Sequence, residues 1–163
     1  MLDELRRWAR KLPYFGASIV FAHAGSEGWE VLLFRRNCNP ANGKWSFPGG
    51  QQAPGESYQQ TAAREAREEA LGGKELMDAL RDYLPPDFSS EEAPEHIAYD
   101  IPCTFGWRTY LVELQTKPSE RAFRLNWENS EVQWFRVDNL PSDIHSEAVK
   151  SIRHFGLDRG KPT

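Results

Sequence analysis

A single α/β domain, an α/β/α sandwich with helices on both faces of a mixed central sheet, is the fold class that this 163-residue sequence predicts. Three observations lead there. The apolar runs "FGASIVFAH" and "WEVLLFRRN" flank the turn segment "AGSEG", as two strands of a hairpin covered on both sides would. From Ser57 to Leu71 there is no proline or glycine, and alanine, glutamate and arginine dominate, which favours helix. Strand and helix patterns then interleave to the end of the chain, as in layered α/β proteins.

Each element follows in order. Leu2, Leu5, Trp8, Ala9 and Leu12 recur at helical spacing, so residues 1–13 predict an amphipathic helix ended by Pro13 that packs on the domain or on a second subunit. Residues 14–158 make up the domain itself, and 159–163 a tail. After the hairpin come a second turn, "NPANGK", and the segment "WSFPGG". Gly72 and Gly73 end the alanine-rich helix. "KELMDALRDYL" is a further amphipathic helix, with Leu76, Ala79, Leu80, Tyr83 and Leu84 on one stripe, and "PPDFSSEEAPE" an acidic loop broken by proline. The segment 74–95 is longer than a plain connection needs, enough for a lid over a cleft or a homodimer contact. "HIAYDIPCTFG" and "WRTYLVEL" read as strands, with Pro102 marking an edge or a bulge. "EVQWFRV" is the last strand. "SDIHSEAVKSIRHFG" is a closing helix that turns Ile144, Ala148, Ile152 and Phe155 inward.

Composition narrows the function. With 20 Lys and Arg against 24 Asp and Glu, the net charge is −4, which gives no bulk attraction to nucleic acid or acidic membranes. An anionic substrate therefore needs local positive charge or a metal ion. Cys38 and Cys103 lie far apart, outside zinc or redox spacing, and read as buried structural thiols. No apolar run reaches the roughly 18 residues of a membrane span, and the charged start lacks a signal peptide's apolar core. A reducing cytoplasm is the compartment expected.

The alanine-rich helix carries the chemistry. At 100° per residue, Glu69 falls about 40° to one side of Glu65 and Glu68 about 60° to the other, so three carboxylates share one face. Ala62, Ala63, Ala66 and Ala70 fill the adjoining arc and let the helix lie close to the sheet. Glu65 and Glu69, four apart, repel by a few tenths of a kcal/mol in an isolated helix. A hard cation such as Mg²⁺ or Mn²⁺ would reverse that sign, because it takes carboxylate oxygens and leaves positions for phosphates. A solvated surface helix is the plainer reading of the same triplet. The glycines of "FPGG" would let main-chain atoms approach an ion or a phosphate.

The stretch Gly50 to Gly72 resembles the Nudix box: glycine, five residues, glutamate, seven residues, Arg-Glu, an aliphatic, any residue, Glu-Glu, any residue, glycine, an aliphatic. Gly50, Glu56, Arg64, Glu65, Glu68 and Glu69 fall in register. Ala66 replaces a larger aliphatic, and Leu71 stands at the usual glycine position, with Gly72 one residue late. The upstream "KWSFPGG" and the late "ENSEVQWFRVDNLP" are also similar to that family's sequences, so the resemblance runs from about Phe15 to Phe155. It implies a Mg²⁺- or Mn²⁺-dependent hydrolase of the pyrophosphate link in a nucleoside diphosphate joined to another group. Candidate substrates are a nucleoside triphosphate, a dinucleoside polyphosphate or a nucleotide sugar. By matched position, Glu68 and Glu69 would bind metal with the Gly50 carbonyl. Glu65 would be a further ligand or the general base, oriented by Arg64. Glu56, counted with the substrate-binding residues, would pair with an arginine of the helix and brace the loop. A later glutamate sometimes serves as base in this family; of Glu120, Glu128 and Glu131, we take Glu128. One of Arg35 and Arg36 would reach a phosphate, since neighbours on a strand face opposite ways. Among Phe21, Trp45, Tyr99, Phe105 and Trp107, one or two would touch the substrate, with Trp45, Phe105 and Trp107 as leading candidates. The alternatives are a catalytically silent nucleotide-binding module and a non-enzymatic domain with a charged helix.

Overall fold

A computed structural model of the chain describes residues 13–39, 41–70 and 93–160. The expected N-terminal helix over residues 2–12, the helix at 74–84 and the acidic loop through residue 92 lie outside the described residues.

The described elements are β1 (Tyr14–Gly25), β2 (Gly28–Arg36), β3 (Trp45–Ser46), β4 (Gly49–Gln51), α1 (Tyr58–Ala70), β5 (Glu95–Ile101), β6 (Phe105–Glu113), β7 (Asn129–Arg136) and α2 (Ser146–His154), with two short 3₁₀ turns at Glu120–Ala122 and Val137–Asn139. Seven strands form one mixed sheet in the order β3-β2-β1-β6-β5, with β4 also beside β1 and β7 also beside β2. The β1–β6 pair is parallel and spans Tyr14↔Phe105 to Ala22↔Glu113. All other pairs are antiparallel.

The long apolar runs are explained by burial on both faces. Along β1, Ile19 and Phe21 enter one core cluster while Val20 and Ala22 enter the other. Ala62 and Ala66 of α1 close the first cluster; Ala148 and Ile152 of α2 close the second. Two helices thus cover two faces, which is the α/β/α sandwich expected. Ser57 caps α1: its Oγ accepts from the Gln60 amide at 3.2 Å while Gln60 Oε1 accepts from the Ser57 amide at 2.8 Å.

The pairing of β1 places the site. Only Ala22 to Gly25 pair with β2, against Val31 to Gly28. The first half of β1 pairs instead with β4, from Gly16↔Gln51 to Ser18↔Gly49. Strand β2 pairs on its other side with β7 from Glu30 to Arg36, and its end pairs with β3 at Phe34 and Arg35. The sheet therefore forks, with β1, β4 and β6 on one branch and β2, β3 and β7 on the other.

Four local expectations are corrected. Pro102 lies in neither an edge strand nor a bulge but in the turn between β5 and β6, where Cys103 adopts φ 57°. The irregularity of β5 falls between Ile97 and Tyr99. Neither cysteine is a buried structural thiol: Cys103 is exposed and Cys38 half-buried. The closing helix begins at Ser146, not Ser142, because residues 143–145 are tied to β3: the Trp45 amide donates to Asp143 O at 3.1 Å, and the His145 amide to Trp45 O at 2.8 Å. Ala148 and Ile152 are buried as expected, with Ile144 and Phe155 packed beside them. Strand β7 starts two residues earlier than its apolar pattern, at Asn129.

Candidate active site

The charged side of the site is built on the second half of α1. Arg64 is the hub. Its Nε and Nη2 take both oxygens of Glu56, at 2.6 and 3.1 Å, and its Nη1 reaches Glu65 at 2.9 Å and Glu68 at 3.1 Å. Nη2 also donates to the Gln51 carbonyl at 2.9 Å, so one guanidinium joins α1 to the loop after β4. Glu56 in turn accepts from the Ala53 amide and the Thr61 hydroxyl, both at 3.0 Å. Arg64 holds the Glu56 carboxyl down at about 2. Glu56 is thus a brace of the loop, and it does not line the cavity described below.

The three carboxylates of α1 share a face but not a centre. Glu65 lies against the main chain of Gly50, where a β-carbon would collide with its carboxylate. Burial pushes its pKa up; Arg64 pulls it back, and the charges of Glu68 and Glu128 push it up further. Glu68 is 57% exposed in its side chain and held by Arg64. Glu69 turns inward and is 1% exposed, accepting from the Gly49 amide at 3.1 Å and from Asn129 Nδ2 at 2.8 Å. With no cation at hydrogen-bond distance among these contacts, burial raises its carboxyl to about 7.

A cavity of about 970 Å³ opens at the fork of the sheet. Gly50 and Glu65 lie in its wall, with Arg36, Glu128 and Glu147. The choice between the two arginines follows strand alternation. Arg36 faces the cavity beside Cys38. Arg35 turns away to Glu131 and Asp143, at 3.2 Å each, and lies over the Trp45 ring. Trp45 and Phe21 are core residues. Of the late glutamates, Glu120 accepts from the Trp134 amide at 2.8 Å and Glu131 pairs with Arg35, which leaves Glu128 in the cavity.

Tyr99, Phe105 and Trp107 all reach the cavity, joined by Tyr14, which the sequence reading did not single out. Tyr14 stacks on Phe105 (centroids 5.6 Å apart, 13° between planes) and on Trp107 (6.1 Å, 4°). Trp107 is fixed by its Nε1 donating to Ser18 Oγ at 3.2 Å, and Ser18 by Thr109 at 2.9 Å. Only the parallel pairing of β1 with β6 brings these rings together. Asn129 was also missed, since a lone asparagine in a polar segment carries no signal of its partner.

The donors facing Gly50 are oxygens only, which is the chemistry a hard divalent cation takes. Among the described residues, no three His, Cys, Asp or Glu side chains are gathered closely enough to hold an ion. The Arg64 guanidinium offsets the negative charge of both Glu65 and Glu68. Among the described residues, no helix is long and apolar enough to cross a membrane.

Comparisons with known proteins agree with this architecture. A family model of the NUDIX domain matches residues 13–155. An Ap4A hydrolase from C. elegans, solved as a binary complex, is 21% identical with TM-score 0.62, over 88% of this chain and 95% of that one. The NUDIX domain of Shewanella oneidensis NrtR, solved with ADP ribose, is 19% identical with TM-score 0.60, over 95% and 96%. A bifunctional NMN adenylyltransferase/ADP ribose pyrophosphatase from Francisella tularensis, complexed with AMP and a Mn ion, is 16% identical with TM-score 0.65. That match covers 94% of this chain but 45% of the other, so the chain spans less than half of that protein's length. At such identities the likeness is one of fold. No curated protein matches the sequence. The family model covers most of the chain, and the six charged and glycine positions of the box stand in register on α1 and the loop before it: the chain belongs to the NUDIX family of hydrolases.

Proposed function

We propose that the chain is a divalent-metal-dependent pyrophosphohydrolase that splits the phosphoanhydride link of a nucleoside diphosphate joined to another group. The observation that carries this reading is the placement of Glu65, which lies between Gly50 and Arg64 in the lining of a cavity that aromatic rings also line. A volume of about 970 Å³ suits a nucleotide-sized ligand. Glu65, Glu68 and the Gly50 carbonyl would hold Mg²⁺ or Mn²⁺. Bound there, the ion would neutralise bridging phosphate oxygens and acidify a water. Glu69, turned to Asn129, contributes by fixing the turn at Gly49 rather than by facing the cavity.

The chain's own groups divide the remaining work. Arg64 orients the Glu65 carboxylate, and burial, which raises its pKa, makes it a stronger base, so Glu65 is the first candidate for the general base if it does not hold the ion. Glu128, in the same cavity and close enough for its charge to act on Glu65, is the second candidate base. Arg36 offers charge to a phosphate. A silent nucleotide-binding module is the second reading, and the intact set of Glu56, Arg64, Glu65, Glu68 and Glu69 weighs against it.

Formation of the cleaved nucleotide products, separated by chromatography, with Mg²⁺ or Mn²⁺ over a panel of nucleoside triphosphates, dinucleoside polyphosphates and nucleotide sugars decides between them. At least one substrate should turn over, and Glu65→Gln and Glu68→Gln should each lose about a hundredfold in kcat. Gly50→Ala, which forces the Glu65 carboxylate aside, should lose at least about tenfold in kcat with a small change in stability. Nucleotide binding with no hydrolysis in any variant would favour the silent module.

A further inference from the structure

We infer that the substrate carries an aromatic ring system at each end of its phosphate bridge, one seated on the Tyr14–Phe105–Trp107 ladder and the other on Trp127; the inference rests on the pyrophosphohydrolase reading. The ladder belongs to the branch of the sheet built on β1 and β6. Tyr14 leaves 39% of its surface open beside the cavity. Trp127 belongs to the other branch, two residues before β7, and also lines the cavity.

Trp127 is 73% exposed, yet the chain that bears it is held. Asn37 Nδ2 donates to its carbonyl at 3.3 Å, the Asn37 amide donates to the next carbonyl, that of Glu128, at 2.6 Å, and the Glu128 amide donates to Asn126 Oδ1 at 3.0 Å. A large ring kept in water by a fixed backbone at a cavity rim is a stacking surface with little left to order on binding. Arg36 and Glu128 also line this cavity. Since the two platforms stand on separate branches, they suit two rings on one molecule better than one ring between them.

The volume, about 970 Å³, lies near the top of the range for small-ligand sites, roughly 300–1,000 Å³.

The test uses methylene-bridged analogues that resist cleavage, with Mg²⁺ present, so binding is read whether or not the chain hydrolyses them. One analogue bridges two adenosines; the other bridges adenosine to a sugar without a base. The intact protein should bind the two-base analogue at least about tenfold tighter, and Trp127→Ala should cut that ratio about tenfold. Trp127→Phe should restore most of the ratio, and Tyr14→Ala should weaken both ligands. Equal binding of the two analogues, no binding of the two-base analogue, or a ratio unchanged in Trp127→Ala overturns the inference. Absence of hydrolysis alongside ring-dependent binding would sink the hydrolase reading alone.

Discussion

Glu56 and Glu69 brace opposite ends of the same turn-and-helix unit, yet their carboxyls are driven in opposite directions. Glu56 meets a guanidinium with both oxygens, and its carboxyl falls to about 2. Glu69 meets one amide hydrogen and one asparagine side chain, both neutral, and its carboxyl rises to about 7. Burial penalises both charges. What separates them is whether the partner carries a full opposite charge, because neutral dipoles offset only part of the lost hydration. The first contact stabilises the folded chain at neutral pH, while the second strains it.

Removing the hub is the hardest blow to this contrast. Arg64→Ala strands Glu56 and Glu65 together, and should lower stability by about 3 kcal/mol, read from the urea midpoint without divalent ions. Arg64→Lys should recover less than half of that, since an ammonium cannot engage Glu56 by two parallel bonds. A loss below about 1 kcal/mol for the alanine variant would break the contrast.

Glu56→Gln should cost about 2 kcal/mol at neutral pH. The sign with pH follows from linkage. A carboxyl depressed from 4.5 to about 2 on folding gives stability that is present above about 4.5 and lost as the pH falls toward 2, so the variant should lack this acid-labile component. Glu69→Gln should show the smallest effect and the opposite slope. A carboxyl raised from 4.5 to about 7 withdraws stability as the pH rises across that window. In metal-free buffer the glutamine variant should therefore gain on the native chain between those limits, by about 1 kcal/mol at the upper end. Parallel pH profiles for the two variants would show that the charged partner is not what distinguishes the sites.

Much of this was legible beforehand because it depends on near neighbours. Helix α1 and the reach of Arg64 to Glu65 and Glu68 lie within one or two helical turns. So did the double burial of β1, written in its continuous apolar run. The choice of Arg36 over Arg35 was half legible: alternation requires that one face the cavity, but only the pairing of β2 with β3 and β7 shows which. The start of α2 was misread because its first predicted turn is taken up by β3, a contact that local periodicity does not record.

The sequence by itself determined the sandwich, the acidic helix and the register of its box, since helical spacing and apolar period are properties of contiguous residues. Only the tertiary structure decided that Glu69 points inward, that Glu128 and not Glu120 or Glu131 reaches the cavity, and that Tyr14 stacks on Phe105 and Trp107. The reason is the range of the interactions. A carboxylate's state is set by whatever lies within a few ångströms, and for Glu69 that is Asn129, 60 residues further along the chain.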